Sequence, residues 1–380
     1  MDTQNSNNLF QLNEEQEQHS NLTLVIDGNW LLMSRLSVMS RDYAGDTAAM
    51  MKKLKRLLCR SINALLRKFS DIDNIIFVAD GGSWRDNVEQ PECIKKYHAE
   101  YKGQRVKSSD IDWTVVFDEY ADFINRIEKD SNVTVTRQPS VEGDDWCWWW
   151  SNMLNNNNTN CIIWSADRDL TQLVKTDFNT GFFTVTFYTR GKNTILTESG
   201  NLSAKDYDIV HMFGNPYWHA NVSLLGRIES KCGEIRKINP EMVVLDKIFR
   251  GDVSDNIFPS VKRVSKSGKE FRISEKMLLD FTGDVRDDGA ISYYINNIYN
   301  TKQFKNKTAY TEADALQHTL YNRRLVMMDE KYYPSSVIEK MKKHGSCYNK
   351  TKDISVTEQR LLADTLHDQN ESMEDFLNGI

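Results

Sequence analysis

Three apolar runs that each end in an aspartate constrain this chain more than any other feature. Leu22 to Ile26 closes on Asp27-Gly28-Asn29, Ile75 to Ala79 on Asp80-Gly81-Gly82, and Cys161 to Trp164 on Ser165-Ala166-Asp167. Short apolar runs stopped by turn residues predict buried strands. Thr47 to Phe69, Val115 to Ile127 and Glu142 to Leu154 carry apolar residues at helical spacing, while Val133 to Thr136 and Phe182 to Tyr188 read as further strands. Strands alternating with helices predict an α/β fold, a mostly parallel central sheet flanked by helices. In such sheets ligands bind outside the carboxyl ends of the strands. One topology is therefore expected to bring Asp27, Asp80 and Asp167 to one rim.

Beyond Gly200 the strand signal fades, and the helical stretches Pro240 to Phe249, Ser274 to Phe281 and Ser336 to Lys343 take over. The expected organisation is a leader over 1–20, rich in Asn, Gln and Glu and read as disordered, an α/β catalytic region over 21–214, a helical region over 215–345 and a tail over 346–380. The six cysteines are scattered without a Cys-x-x-Cys pair, which argues against a zinc site or a disulfide framework and fits a reducing cytoplasm. No apolar stretch approaches the roughly 20 residues a membrane span requires. The net charge of −6 counts against nucleic acid as a partner, but its distribution matters more than its sum. Ile94 to Lys107 carries five cations against Glu100 alone, and Val261 to Lys276 carries Lys262, Arg263, Lys266, Lys269, Arg272 and Lys276.

The acids gather into short motifs. Glu142-Gly143-Asp144-Asp145 opens a helix, where Glu142 and Asp145 share a face. Asp167-Arg168-Asp169 follows a strand, and Asp169 is as suited to capping a helix as to holding metal. Gly251-Asp252-Val253-Ser254-Asp255 adds another pair. A collection of carboxylates without a His or Cys cluster suits magnesium better than zinc. Phosphodiester hydrolysis is the chemistry that paired ions on such a rim do best. Each aspartate taken singly is as often a turn former or a cap. Cys147-Trp148-Trp149-Trp150 reads as one face-rich buried helix, not a stacking platform.

Taken together, Val25-Ile26-Asp27-Gly28-Asn29, Val78-Ala79-Asp80, Ser83-Trp84-Arg85, Tyr101-Lys102-Gly103-Gln104-Arg105, Glu142-Gly143-Asp144-Asp145, Ser165-Ala166-Asp167-Arg168-Asp169-Leu170 and Gly251-Asp252-Val253-Ser254-Asp255-Asn256 resemble the flap-endonuclease family of 5′-nucleases, and within it the phage ribonuclease H branch. The resemblance implies a PIN-like core, a helical arch at about 84–114, and a helical region with a helix-turn-helix-like element for duplex DNA. It implies a two-magnesium site, with manganese as a substitute, lined by Asp27, Asp80, Glu142, Asp144, Asp145, Asp167 and Asp169, with Asp252 and Asp255 as downstream acids. Lys102 and Arg105 would neutralise the scissile phosphate from the arch, with Arg85 as an additional phosphate contact or a surface residue beside Trp84. Tyr97 and Tyr101 would stack a frayed base, and Lys262, Arg263, Lys266, Lys269 and Arg272 would grip duplex phosphates. Here Phe258-Pro259-Ser260-Val261-Lys262-Arg263 replaces the Gly-rich hairpin of cellular members, and Lys205 to Ile238 is an insertion without an assigned role.

The implied activity is 5′-3′ hydrolysis of RNA paired to DNA and of 5′-flap or nicked duplex DNA, by a monomer that removes RNA primers in the cytoplasm, that of a host cell if phage-encoded. A sliding clamp and a single-stranded-DNA-binding protein are implied partners. Met373, Phe376 and Leu377 in the acidic tail are the candidate clamp motif, against the alternative of a frayed terminus. The rival readings are a toxin-type PIN ribonuclease, which would lack the arch and Gly251-Asp252 motifs, and a non-catalytic structure-specific DNA-binding protein.

Overall fold

Strand β1 (Leu22–Asp27) is buried along its whole length because helices cover both faces of the sheet. Leu22, Leu24 and Ile26 pack into one layer and Val25 into the other, as the period of a strand requires. The computed structural model describes residues 21–345 apart from 44, 96–99, 106–107, 132, 191, 199–216 and 306. Tyr97, the leader and the tail with its Met373, Phe376 and Leu377 motif lie outside the described residues.

β1 passes without a linker into α1 (Gly28–Met39), a helix that the turn-like Asp27-Gly28-Asn29 concealed. Asp27 is its N-cap, accepting the Trp30 N–H at 2.9 Å. Gly28 is dictated by space: an added Cβ would lie 2.3 Å from the Phe77 ring, 2.5 Å from the Tyr120 hydroxyl and 2.6 Å from the Val78 carbonyl. There follow α2 (Thr47–Lys68), β2 (Asn74–Val78), the single turn α3 (Glu92–Lys95), α4 (Trp113–Asp130), β3 (Thr134–Thr136), α5 (Gly143–Asn156), β4 (Asn160–Trp164), β5 (Lys175–Thr176), β6 (Phe183–Arg190), β7 (Lys192–Glu198), α6 (Trp218–Ser230) and β8 (Glu234–Ile238).

The strand order is β3-β2-β1-β4-β6-β7-β8, with β5 on the side of β6. From β3 through β6 the neighbours are parallel, as expected; β7 runs antiparallel to β6 and β8 parallel to β7. The chain moves outward from β1 to β2 and β3, then returns to the other side of β1 with β4. That reversal is a topological switch point, and Asp27 and Ser165 stand at its carboxyl edge.

The sheet does not end at the expected boundary near Gly214, because β8 comes from the Lys205 to Ile238 segment. Its sequence, Glu234-Ile235-Arg236-Lys237-Ile238, is half-exposed at a sheet edge, so its apolar signal is weak.

The remainder is α7 (Pro240–Arg250), a hairpin of β9 (Lys262–Val264) and β10 (Glu270–Arg272), α8 (Glu275–Leu278), α9 (Asp288–Asn300), α10 (Glu312–Val326) and α11 (Ser335–Gly345). The helix expected over Ser274 to Phe281 is a single turn, and the basic segment before it is this hairpin. The α5 tryptophans are core: Trp148 stacks on Tyr333 at 4.7 Å, and Gly345 of α11 lies directly against Trp149.

Gly28→Ala is expected to destabilise the fold by about 1–3 kcal/mol through overpacking. Gly226→Ala, in helix α6 with open space around it, is expected to gain about 0.5–1 kcal/mol. Urea midpoints at constant m-value check both.

Candidate active site

The carboxyl edge of the sheet opens into a cavity of about 780 Å³ lined by Asp27, Asn29, Asp80, Glu142, Asp144 and Asp167, by the cations Lys102, Arg105 and Arg137, and by Trp30, Met33, Trp113, Phe117 and Tyr120. Asp27 arrives at the end of β1, Asp80 two residues past β2, Arg137 one past β3 and Asp167 three past β4. Glu142 and Asp144 come from the start of α5, which Gly143 draws close: its N–H donates to Asp80 Oδ1 at 2.5 Å. A Cβ on Gly143 would lie 3.0 Å from that oxygen.

Protein donors orient these acids. Ser165 donates its hydroxyl to Asp27 Oδ2 at 2.7 Å, and the Asp169 N–H donates to Asp167 Oδ1 at 2.8 Å. Asn29 Oδ1 accepts the Asp80 N–H at 3.2 Å. Asp27, Asp80, Asp144 and Asp167 make no ion pair among the described residues. Burial pushes the Asp27 carboxyl up to about 7, against the Trp30 and Ser165 hydrogen bonds and with the charges of Asp167 and Asp80 adding to it. Burial raises Asp144 as well, reinforced by Asp167 and Asp27. Asp80 and Asp167 are raised for the same first reason, although the amide of Gly143 and the ammonium of Lys247 respectively oppose the shift.

The other expected acids have cationic partners within the protein, although burial still leaves the Asp145 carboxyl raised against the pull of Arg85. Asp145 is fully buried, accepts the Glu142 N–H at 3.0 Å and the Trp84 indole N–H at 3.1 Å, and pairs with Arg85 at 2.9 Å. Glu142 pairs with Arg85 and, at 2.6 Å, with Lys102. Burial alone would raise Glu142, but Arg85 and Lys102 outweigh it and hold its carboxyl down at about 2. Arg85 is therefore neither surface residue nor phosphate contact: it is 3% exposed, donates Nε–H to the Leu325 carbonyl at 2.8 Å and lies over the Trp84 ring. Asp255 pairs with Arg105 at 2.6 Å. The Tyr101 ring sits under the Lys102 ammonium, partly buried, and its hydroxyl reaches toward Asp255 at 3.4 Å. Asp169 and Asp252 share Lys247.

Among the expected duplex contacts, Lys262 is buried and pairs with Glu270 at 2.9 Å. Lys266, Lys269 and Arg272 are exposed on the hairpin and Arg263 partly so. Sequence reasoning missed Arg137, although the strand-end rule that found the aspartates reaches it after β3. It also missed Lys247, whose signal is a lysine between the buried Val244 and Ile248 of α7, and the aromatic wall, whose residues come from α1 and α4.

The donor chemistry of the cavity fits a hard divalent ion. Four of its acids, Asp27, Asp80, Asp144 and Asp167, are desolvated and mutually repelling, the charges of Lys102 and Lys247 offset this only in part, and a cation would favour their ionised forms. Among the described residues no three acidic, imidazole or thiolate groups are gathered into one coordination sphere.

A scan against models of known families finds no match, and neither does a search of curated proteins. Among solved structures, the chain is similar to bacteriophage T5 5′-exonuclease with bound zinc, at 14% identity and a TM-score of 0.48 over 86% of this chain and 99% of that one. It is similar to the T5 flap endonuclease complexed with DNA and metal ions at 13% identity and 0.45, over 92% and 100% of the two chains. It is also similar to the catalytic core of Rad2 with a DNA substrate at 13% and 0.37, over 94% and 89%. At these identities and scores the likenesses assign no residue.

The raised Asp27 carboxyl has a sign that can be tested. Between its unfolded value near 3.8 and its folded value of about 7, the native state binds more protons than the unfolded chain, so stability falls as pH rises through that window. With EDTA present, Tm is expected to drop between pH ~5 and ~7.5, and millimolar magnesium to reverse the drop. A Tm indifferent to magnesium at the upper pH would count against cation binding here.

Proposed function

We propose that this chain is a divalent-cation-dependent 5′-nuclease of the flap-endonuclease type. Its substrates are RNA paired to DNA and 5′-flap or nicked duplex DNA, with magnesium as the working ion and manganese able to replace it. The observation that carries this reading is the pairing, in one cavity, of four carboxylates that have no ion-pair partner among the described residues with three cations and an aromatic wall.

Each wall matches one part of a nucleic acid strand. Asp27, Asp80, Asp144 and Asp167 are the residues that would hold the ion. A bound divalent ion supplies Lewis acidity toward a phosphoryl oxygen and lowers the pKa of water. Lys102, Arg105 and Arg137 draw the phosphodiester into a cavity that its negative charge alone would keep it from entering. Lys102 is held at the mouth by Glu142, and its backbone N–H is tied to the Asp255 carbonyl at 2.9 Å. In the same cavity, Trp113 and Phe117 lie 5.9 Å apart with Phe117 43% exposed, and Trp30 and Met33 share the lining. Such a wall stacks a base whatever its identity.

Duplex binding falls to the exposed hairpin cations Lys266, Lys269 and Arg272, with Arg263. Phosphate contacts of this kind position the substrate without reading sequence, and they weaken with salt. The role that follows is removal of RNA primers and 5′ flaps during replication, alongside a sliding clamp and a single-stranded-DNA-binding protein.

Cleavage of an RNA-primed DNA duplex and of a 5′-flap DNA, end-labelled and run with magnesium or EDTA, tests the reading. Short 5′ products are expected with magnesium only, falling by at least ~10²-fold in Asp80→Asn and Asp167→Asn while substrate binding persists. Tight binding by the wild type without cleavage would overturn it. Phe117→Ala is expected to weaken binding of a flap strand by about 10-fold and leave binding of fully paired duplex unchanged. Fluorescence anisotropy with the two substrates checks that difference.

A further inference from the structure

We infer that Lys247 is a resident cation standing where a second metal ion would otherwise sit, so that the site takes a single divalent ion, held by one or two of the acids Asp27, Asp80, Asp144 and Asp167 and otherwise by water. The inference rests on the nuclease reading above, and it departs from the two-ion expectation drawn from the sequence.

The geometry is specific. Lys247 extends from the last turn of α7, and its Nζ pairs with Asp169 on one side and with Asp252 Oδ2, at 2.5 Å, on the other. The two acids come from separate elements, the 3-10 turn Asp169–Leu173 and the hairpin in which Asp252 and Ile257 exchange backbone hydrogen bonds at 2.8 Å. One ammonium therefore ties together three parts of the chain. Asp252 has no oxygen left over: its Oδ1 accepts the Ser254 N–H at 2.8 Å and the Ser254 hydroxyl at 2.5 Å. The hairpin is held by Gly251, at φ 76°, where a Cβ would lie 2.4 Å from the Ile257 carbonyl.

Lys247 is 5% exposed, with Val244 and Ile248 buried on the same face of α7. A buried ammonium stays charged only by pairing. A divalent ion on Asp169 and Asp252 would meet that charge at contact distance and have to drive the lysine into the apolar layer. The cavity acids present the opposite case, since none of the four pairs with a cation among the described residues. The two acid sets thus differ in their partners: Asp169 and Asp252 pair with an ammonium, and the four cavity acids pair with none among the described residues. Lys247 acts through Asp169 and Asp252 as a positioning residue.

The test is the stoichiometry of manganese bound to the full chain without DNA, read from the electron paramagnetic resonance signal of the free ion. About one ion per chain is expected for the wild type and for Lys247→Arg, and about two for Lys247→Met, which keeps the stem and removes the charge. Circular dichroism checks that the variants fold, and if Lys247→Met does not, the wild-type count decides alone. Two ions on the wild type would overturn the inference and leave the nuclease reading standing, as would a folded Lys247→Met that still binds one. No ion on the wild type would overturn the nuclease reading and this inference with it.

Discussion

The crowding of carboxylates at one edge of the sheet is the constraint around which the rest of this molecule is arranged. Four strands deliver residues to that edge, and the helix start after β3 adds Glu142 and Asp144, with Asp145 buried against Arg85 behind it. Left in a partly desolvated cavity, these charges repel one another and favour their neutral forms. The protein compensates some of them internally. Arg85, buried with its Nε–H on the Leu325 carbonyl, neutralises Glu142 and Asp145 and so anchors the start of α5 against α10. Removing one partner of such a buried set typically costs about 3–5 kcal/mol, because the remaining charge is stranded. Lys102 holds Glu142 from the cavity side, Arg105 holds Asp255, and Lys247 holds Asp169 and Asp252. What remains is a set of four acids, Asp27, Asp80, Asp144 and Asp167, that have no ion-pair partner among the described residues and whose carboxyls are raised by burial.

Hydrogen bonds tie the sheet region to the helical region near these acids. The backbone of Lys102 is bonded to Asp255, Asn256 reaches back to the Glu100 carbonyl at 2.8 Å, and Gln172 donates to the Val326 carbonyl at 3.1 Å. Other contacts across the expected boundary lie away from the cavity: β8 pairs with β7, and Arg227 and Lys231 of the α6 region pair with Asp71. The hairpin bearing Lys266 and Lys269 is fixed to the same frame through the Val261 to Ala309 region, where the Ala309 N–H donates to the Lys262 carbonyl at 3.1 Å.

Much of this was legible in the sequence for a simple reason. A parallel sheet needs buried apolar strands, and Leu22 to Ile26, Ile75 to Ala79 and Cys161 to Trp164 are apolar enough to be seen and end in residues that mark the functional edge. The same logic failed where the signal is physically weak. Asp27-Gly28-Asn29 has the composition of a turn, but Asp27 caps a helix and Gly28 is there for lack of space. Strand β8 sits at an exposed edge and carries Glu234, Arg236 and Lys237, so no apolar run announces it. Motif matching did not distinguish an acid that faces the cavity from one that faces an arginine: Asp144 and Asp145 are adjacent in sequence, yet the helical turn sends one to each. Nor does a basic run reveal which of its cations is buried, as Lys262 is. Arg85 and Lys247 are legible only once the elements that surround them are placed.

The most direct measurement of the central claim is anomalous scattering from crystals soaked in manganese. The account predicts a peak at the carboxyl edge of the sheet, bounded by Asp27, Asp80, Asp144 and Asp167. Manganese at saturating concentration that leaves this edge empty, or that settles only on acids elsewhere on the chain, would contradict it.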